Sequence, residues 1–281
     1  MLRKLFFCLG FATLLFGAYF WRQQAEVGRS TVVFMNVGQG DGIYVRTPSG
    51  DDIVIDTGPD LRVVHELGRQ MPFYDHDIEL LVVTHPDADH ITGATEILRR
   101  YTVRQVVVSG KVSESAQYRA FMEEVAAGQV PLVAGRAGQV WQFGDVRFDV
   151  LYPFDDRQVE AMPPNDTTVI MHMFYGAHTF LFTGDASSVV EDIVVARYGW
   201  ALRSEVLKVG HHGSKTSSSE VFLRTVAPQV AVIQSETGNQ FGHPHAGVLD
   251  RLDAIGAQIL RNDELGAIVM RCDVDVCELE Q

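Results

Sequence analysis

A chain of 281 residues has room for one large domain or two small ones, with a sizeable core either way. Its 46% hydrophobic and 21% charged residues are an ordinary globular balance. The formal net charge of −13 is a poor footprint for loose binding to DNA or an anionic membrane surface, both of which reward Lys and Arg. A polyanionic substrate would have to be drawn by a local cationic feature, such as bound metal.

The chain begins with Arg3 and Lys4 ahead of a mostly apolar stretch, LFFCLGFATLLFGAYFW, at residues 5–21. It is longer than the apolar part of an ordinary signal peptide and just reaches the lower limit for a membrane span. No small-x-small cleavage site follows. An uncleaved signal anchor is favoured over a cleaved signal peptide, with the N-terminus cytoplasmic and the bulk exported to the periplasmic or extracellular face. Residues 1–30 are set apart as signal or anchor plus linker, with residues 5–21 in the bacterial inner membrane. Residues 31–281 are read as one domain, with no further run of transmembrane character; the oligomeric state is left open.

Short β-type runs come next, at 31–37 (TVVFMNV), 42–47 (GIYVRT) and 52–57 (DIVIDT), separated by the turn signals GQGD and PSGD. An amphipathic helix is predicted over 61–71. The continuous apolar run at 79–84 predicts a central strand that delivers residues 85–90 onto the loop past its C-terminal end. A helix at 93–101, a strand at 104–109 and a helix around 116–127 follow. The second part repeats this grammar, with strands at 130–134, 139–143, 146–152, 167–174 and 179–183. A helix at 187–199, a strand at 205–209, a helix at 218–226 and a strand at 230–235 come after them. A helix at 246–255 and strands at 258–262 and 267–272 complete the chain. Strand clusters flanked by helices in both halves predict two packed sheets with helices outside them. Cys272 and Cys277 can close a short terminal loop as a disulfide in an oxidising compartment, or remain free thiols.

Four strand ends carry the chemistry. In VTHPDADH, residues 83–90, His85, Asp87, Asp89 and His90 give four potential ligands in six residues directly after an apolar strand. Such a loop suits a two-metal centre, with cations roughly 3.5–4 Å apart. Asp87 stands where an H-x-H-x-D-H zinc motif has an imidazole, and its harder oxygen shifts the preference toward Mn²⁺. Asp185 in LFTGD ends a second strand and can bridge two metals, although strand-Gly-Asp is by itself often a turn. In LKVGHHGS, one of His211 and His212 is a further ligand candidate, and Lys208 or Ser214 can meet an anionic substrate. NQFGHPH adds His243 and His245 for leaving-group protonation or substrate binding. His65, His76, His172 and His178 stand alone and read as ordinary structural or surface residues.

Together with NVGQGDG (residues 36–42) and Asn165-Asp166 before a strand, these motifs resemble the metallo-β-lactamase superfamily. The particular dialect is similar to the extracytoplasmic hydrolase domain of the DNA-uptake protein ComEC, here in a stand-alone form. The resemblance implies an α/β fold, specifically an αββα four-layer sandwich, and two divalent metal ions, Zn or Mn. It also implies hydrolysis of a phosphodiester, in single-stranded DNA or a cell-wall polymer. Carried over position by position, His85 and Asp87 hold one metal, Asp89 and His90 the other, and Asp185 bridges them. His211 is preferred over His212 as the remaining histidine, and Asp166 is preferred in the stretch where the superfamily usually has a third-motif histidine. Asp56 orients a ligand histidine, while Gln39, Asp41, Asn165, His212 and Ser214 support the metals or substrate. Asp89, Lys208 and His243 are the candidate catalytic residues. The rival readings are a non-catalytic accessory protein of an uptake or envelope complex, and lactam hydrolysis, against which Asp87 and HHGS argue.

Overall fold

The computed structural model describes residues 28–280. The expected anchor at 5–21 lies outside the described residues, among which no helix is long and apolar enough to cross a membrane.

Alternation along the strands decides the architecture. In β1 (Ser30–Phe34), Val32 and Phe34 face one way and Val33 the other; in β3 (Asp52–Thr57), Ile53 and Ile55 oppose Val54. In β5 (Leu80–Val83), Leu80 and Val82 oppose Leu81 and Val83. All of these side chains are buried, so both faces of the sheet are covered. That is why the strands read as unbroken apolar runs.

The first sheet runs β17 (Cys277–Glu280), β16 (Ile268–Cys272), β1, β2 (Gly42–Arg46), β3, β5, β7 (Val106–Val108) and β8 (Leu132–Ala134). The second runs β15 (Gln258–Arg261), β14 (Val230–Ile233), β13 (Val206–Lys208), β12 (His178–Phe182), β11 (Ile170–Tyr175), β10 (Val146–Tyr152) and β9 (Val140–Phe143). A small bridge pairs β4 (Asp77–Ile78) with β6 (Thr102–Val103).

Three apolar clusters mark the interfaces between four layers. Between the sheets, Val32, Phe34 and Ile55 of the first pack with Phe148, Phe180 and Phe182 of the second. On the outer face of the first sheet, Val33, Val54 and Leu81 meet helix residues Val63, Leu67, Ile97 and Phe121. These come from the helices Arg62–Gln70, Ala94–Arg100 and Ala116–Ala127. On the outer face of the second sheet, Leu181, Leu207 and Ala231 meet Val190, Val194, Phe222 and Val248 from the helices Ser188–Tyr198, Glu220–Val226 and Ala246–Ala254. Spacing of three or four residues puts pairs such as Val63/Leu67 and Val190/Val194 on one helix face. Each fully buried side chain of this kind contributes roughly 1.5–3 kcal/mol.

β3, β5, β7 and β8 are parallel neighbours, as are β12, β13, β14 and β15. Parallel strands end on the same edge, and open α/β sheets bind ligands outside such carboxyl ends. Asp56, His85, Asp185, His211, His212 and Gln234 all lie at or just beyond them.

Two expectations change and one open alternative is resolved. The strand expected over 31–37 ends at Phe34, because residues 35–41 turn back toward the site. The strand expected over 167–174 starts only at Ile170: Pro163-Pro164 precede a 3₁₀ turn at Asn165–Thr167, where Thr167 Oγ1 donates to Pro164 O at 2.6 Å. At the C-terminus, Cys272 and Cys277 face each other across the β16–β17 pair and are disulfide-bonded, which closes the alternative left open by the sequence.

Candidate metal centre

The Asp185 carboxylate is the hub. It lies in the turn after β12, with Gly184 (φ +49°) before it, and is 2% exposed. Imidazole Nε2 atoms approach it from four histidines: His90 at 3.4 Å, His211 at 3.5 Å, His212 at 3.6 Å and His85 at 4.0 Å. Asp89 lies 3.2 Å from His212 Nε2 and 3.8 Å from His90 Nε2, and Asp87 lies 3.7 Å from His85 Nε2. The donor atoms of Asp89, His90, Asp185 and His212 all lie within 4.8 Å of one another. His85, Asp87 and His211 flank the other side of Asp185 more loosely.

The opposite nitrogen of each buried histidine has a partner. His90 Nδ1 donates to Asp56 Oδ2 at 2.8 Å, and His212 Nδ1 donates to Gln234 O at 2.9 Å. His85 Nδ1 sits 3.1 Å from Thr84 Oγ1, which itself donates to Asp56 Oδ2 at 2.7 Å. These contacts occupy the Nδ1 side of each ring and leave Nε2 facing Asp185. Nε2 of His85, His90 and His212, and Oδ1 of Asp185, are buried without a hydrogen-bond partner. Buried polar atoms without partners are costly. Three inward-facing imidazoles around a carboxylate form a donor set that suits divalent cations.

The charges agree. Burial alone would keep the His212 imidazole neutral, but Asp185 and Asp41 raise it to about 10, and His90 is raised well above its usual range by Asp185 and Asp56. Burial resists ionisation of Asp185, yet His212 and His90 hold it well below the usual carboxylate range. Protons thus collect where a cation would sit. His85 goes the other way: burial, with His90 alongside, pushes it down to about 3, leaving the neutral form that ligates metal.

Beneath the cluster, the NVGQGDG turn contributes Asp41, 2% exposed, which contacts His212 Nδ1 at 3.2 Å and His90 Nδ1 at 3.8 Å. The turn is wedged against the ligand loop, with Asp41 N donating to Asp89 O at 3.3 Å. A Cβ on Gly40 would fall 2.3 Å from that same carbonyl, so only glycine fits.

Several sequence expectations are redrawn. Lys208 does not face a substrate: its side chain is fully buried, its Nζ pairs with Asp41, and it donates to Gly184 O at 2.9 Å. Of Asn165 and Asp166, it is Asn165 that reaches the cluster, with Nδ2 3.4 Å from Asp185 Oδ2 and 3.3 Å from His211 Nε2; Asp166 pairs with none of these histidines. His212 belongs to the compact donor group, whereas the His211 side chain is 27% exposed at its edge. The Ser214 hydroxyl turns inward onto Thr216 Oγ1 at 3.0 Å while its backbone N donates to His211 O at 2.8 Å, and Gln39 Oε1 accepts from Glu236 N at 3.3 Å; neither side chain is hydrogen-bonded to a histidine. His243 stands over the pair, its ring 5.7 Å from His211 and 6.2 Å from His212. Burial and those two neighbours push it down to about 4, and its place over the pair is compatible with the substrate-binding role expected from sequence. Sequence reasoning gave no role to Thr84 or Gln234; Thr84 directly precedes His85, and Gln234 is the first residue past β14, a strand-end position that could have flagged it.

The match to known proteins spans the segment that carries these residues. The family model described as "Metallo-beta-lactamase superfamily" matches residues 35–235. ComE operon protein 3 of Bacillus subtilis is 31% identical over 261 residues, covering 85% of this chain and 33% of that protein. Competence protein ComA of Neisseria gonorrhoeae is 31% identical over 263 residues, covering 91% of this chain and 34% of that protein. The chain thus spans about a third of the length of these two relatives. Exodeoxyribonuclease WalJ of Streptococcus pneumoniae is 20% identical over 215 residues, covering 72% of this chain and 78% of that protein. The ligand-type residues described above, from His85 to His212, lie inside the matched segment, and the chain belongs to the metallo-beta-lactamase superfamily.

Proposed function

We propose that the protein is a divalent-metal-dependent phosphodiesterase acting on nucleic acid at the extracytoplasmic face of the membrane. The observation that carries this is the convergence of four imidazole Nε2 atoms on Asp185, three of them buried and without partners. His85, Asp87, Asp185 and His211 would hold one cation; Asp89, His90, Asp185 and His212 would hold the other. When bound, the cations supply a Lewis acid for a phosphoryl oxygen and lower the pKa of a water. Asp87 adds a hard oxygen donor and biases the site toward Mn²⁺ over Zn²⁺.

The chain's own residues do the rest. Asp56 orients His90 directly and His85 through Thr84. Lys208 holds Asp41 and leaves the mouth of the site to the substrate. Neutral His243 can hydrogen-bond a phosphate oxygen at that mouth or accept a proton there. The competence proteins and the exodeoxyribonuclease among its relatives favour nucleic acid as the phosphodiester. Export by the segment at 5–21 accords with the Cys272–Cys277 disulfide, since such bonds persist in oxidising compartments.

The test is full-length protein, metal-stripped and then reloaded with Mn²⁺ or Zn²⁺, assayed on single-stranded DNA, a chromogenic phosphodiester and a chromogenic cephalosporin. Metal-dependent cleavage of the first two, lost in Asp185→Asn, is the expected result. No bound metal and no turnover of any of the three would remove the catalytic reading and leave an accessory protein.

A further inference from the structure

Phe241 lies in the loop between β14 and the helix Ala246–Ala254 and is 54% exposed. A lone exposed hydrophobic residue needs no explanation, but this one is the outer member of a stack leading into the metal centre. Its ring lies 5.7 Å from that of His243 at an interplanar angle of 25°. His243 in turn lies 6.2 Å from His212 at 29°, and His212 Nε2 is 3.6 Å from Asp185.

The loop is built to hold that ring in place. Asn239 Oδ1 accepts from Phe241 N at 3.1 Å and from His243 N at 3.0 Å, while Asn239 Nδ2 donates to Glu236 O at 2.8 Å and His243 O at 2.6 Å. His245 N donates to Gly213 O at 2.9 Å, tying the loop to the turn that carries His211 and His212. Two residues past Gly213 in the chain, Lys215 is exposed and in no ion pair among the described residues. An aromatic face at the mouth of a phosphodiester site, with an exposed lysine on the segment that follows the His211–His212 turn, matches the two parts of a nucleotide: stacking takes the base and Lys takes a phosphate.

We propose that Phe241 is a substrate-specificity residue that stacks a nucleobase next to the scissile phosphodiester, with Lys215 on a neighbouring phosphate. The single-stranded form is required, because a base paired in a duplex has no free face to offer. The position of the scissile bond rests on the phosphodiesterase reading; the base preference does not, and is measured separately.

The experiment compares full-length, metal-loaded wild type with Phe241→Ala, Phe241→Leu and Phe241→Trp. Equilibrium binding is read by anisotropy of labelled, hydrolysis-resistant phosphorothioate oligothymidylate, of an abasic phosphorothioate strand of equal length, and of poly(glycerol phosphate). Wild type should bind the thymidylate on the order of 5- to 100-fold more tightly than the abasic strand. Phe241→Ala and Phe241→Leu should lose that preference and Phe241→Trp should keep it. In hydrolysis of ordinary oligothymidylate, the loss should appear in KM with little change in kcat. Equal wild-type affinity for base-bearing and abasic strands, equal or tighter binding of poly(glycerol phosphate), or a preference that survives Phe241→Ala would overturn the proposal. A base preference without hydrolysis would leave it standing and remove the phosphodiesterase reading instead.

Discussion

Lys208 has no exposed side-chain surface and is held between Asp41, Gly184 O and, at 3.8 Å, Asp185. Removing one member of a buried charge pair leaves the other uncompensated, at a cost of about 3–5 kcal/mol. Lys208→Met should therefore destabilise the metal-free protein by about that much, as a lower urea midpoint. The gap from wild type should narrow when divalent metal is added, because a cation offsets the same carboxylates. A gap unchanged by metal would show that Lys208 acts by packing alone. The two adjacent histidines should also separate. His212→Ala removes a buried imidazole of the compact donor group, whereas His211→Ala removes a partly exposed one at its edge. Calorimetric titration with Mn²⁺ should show the larger loss of affinity in His212→Ala, and the reverse order would reassign the ligand. The sequence offered both residues, and the resemblance favoured His211, whereas His212 is the one in the compact group. Each sits at positive φ, His211 at 49° and His212 at 54°, and that sharp turn, invisible in HHGS, aims one ring inward and leaves the other at the rim.

At the scale of elements, the turn after β12 packs against segments from both halves, at Thr168 and Thr84. A Cβ on Gly184 would lie 2.0 Å from Thr168 Oγ1 and 3.1 Å from Thr84 Oγ1, at a backbone φ that L-residues avoid. Gly184→Ala should thus push Asp185 off its position, lowering metal affinity at least tenfold on the order seen for disturbed ligand orientation. Far-UV circular dichroism should stay unchanged; wild-type metal affinity in the variant would sink this account. β11 carries a separate pH dependence. His172 is 2% exposed, its Nε2 is 3.0 Å from Ser204 Oγ, and burial pushes it down to about 4. Below the unfolded value near 6.5, the unfolded chain gains a proton that the native chain refuses. The stability held above that pH is lost as pH falls toward 4, by on the order of 2–3 kcal/mol. Urea midpoints at pH 7 and pH 5 should differ less in His172→Gln than in wild type. Most elements were legible because their apolar period is strong. The exceptions, such as the 3₁₀ turn at Asn165–Thr167, are too short to have a period.

For the molecule as a whole, the acidic cluster and the net charge of −13 act together. Metal that binds the folded chain alone stabilises it by RT ln(1 + [L]/Kd), about 2.7 kcal/mol at one hundred times Kd. For a domain of this size that is about 5–10 °C in Tm. Chelation should lower Tm by that amount and fresh Mn²⁺ or Zn²⁺ should restore it; a Tm indifferent to both would argue against a resident metal.

The sequence by itself determined the strand runs, the helix faces and the ligand types, because strand and helix periodicity and short loop motifs are local properties written within a few residues. It also carried the family, through VTHPDADH, TGD and HHGS in order. Only the tertiary structure decided which histidine joins the compact group, that Asn165 rather than Asp166 faces it, and that Lys208 is buried beneath it. Those choices depend on contacts between residues far apart in the chain, such as Asp41 with Lys208 and Gln234 with His212. Packing the two sheets sets these distances, and no local pattern encodes them.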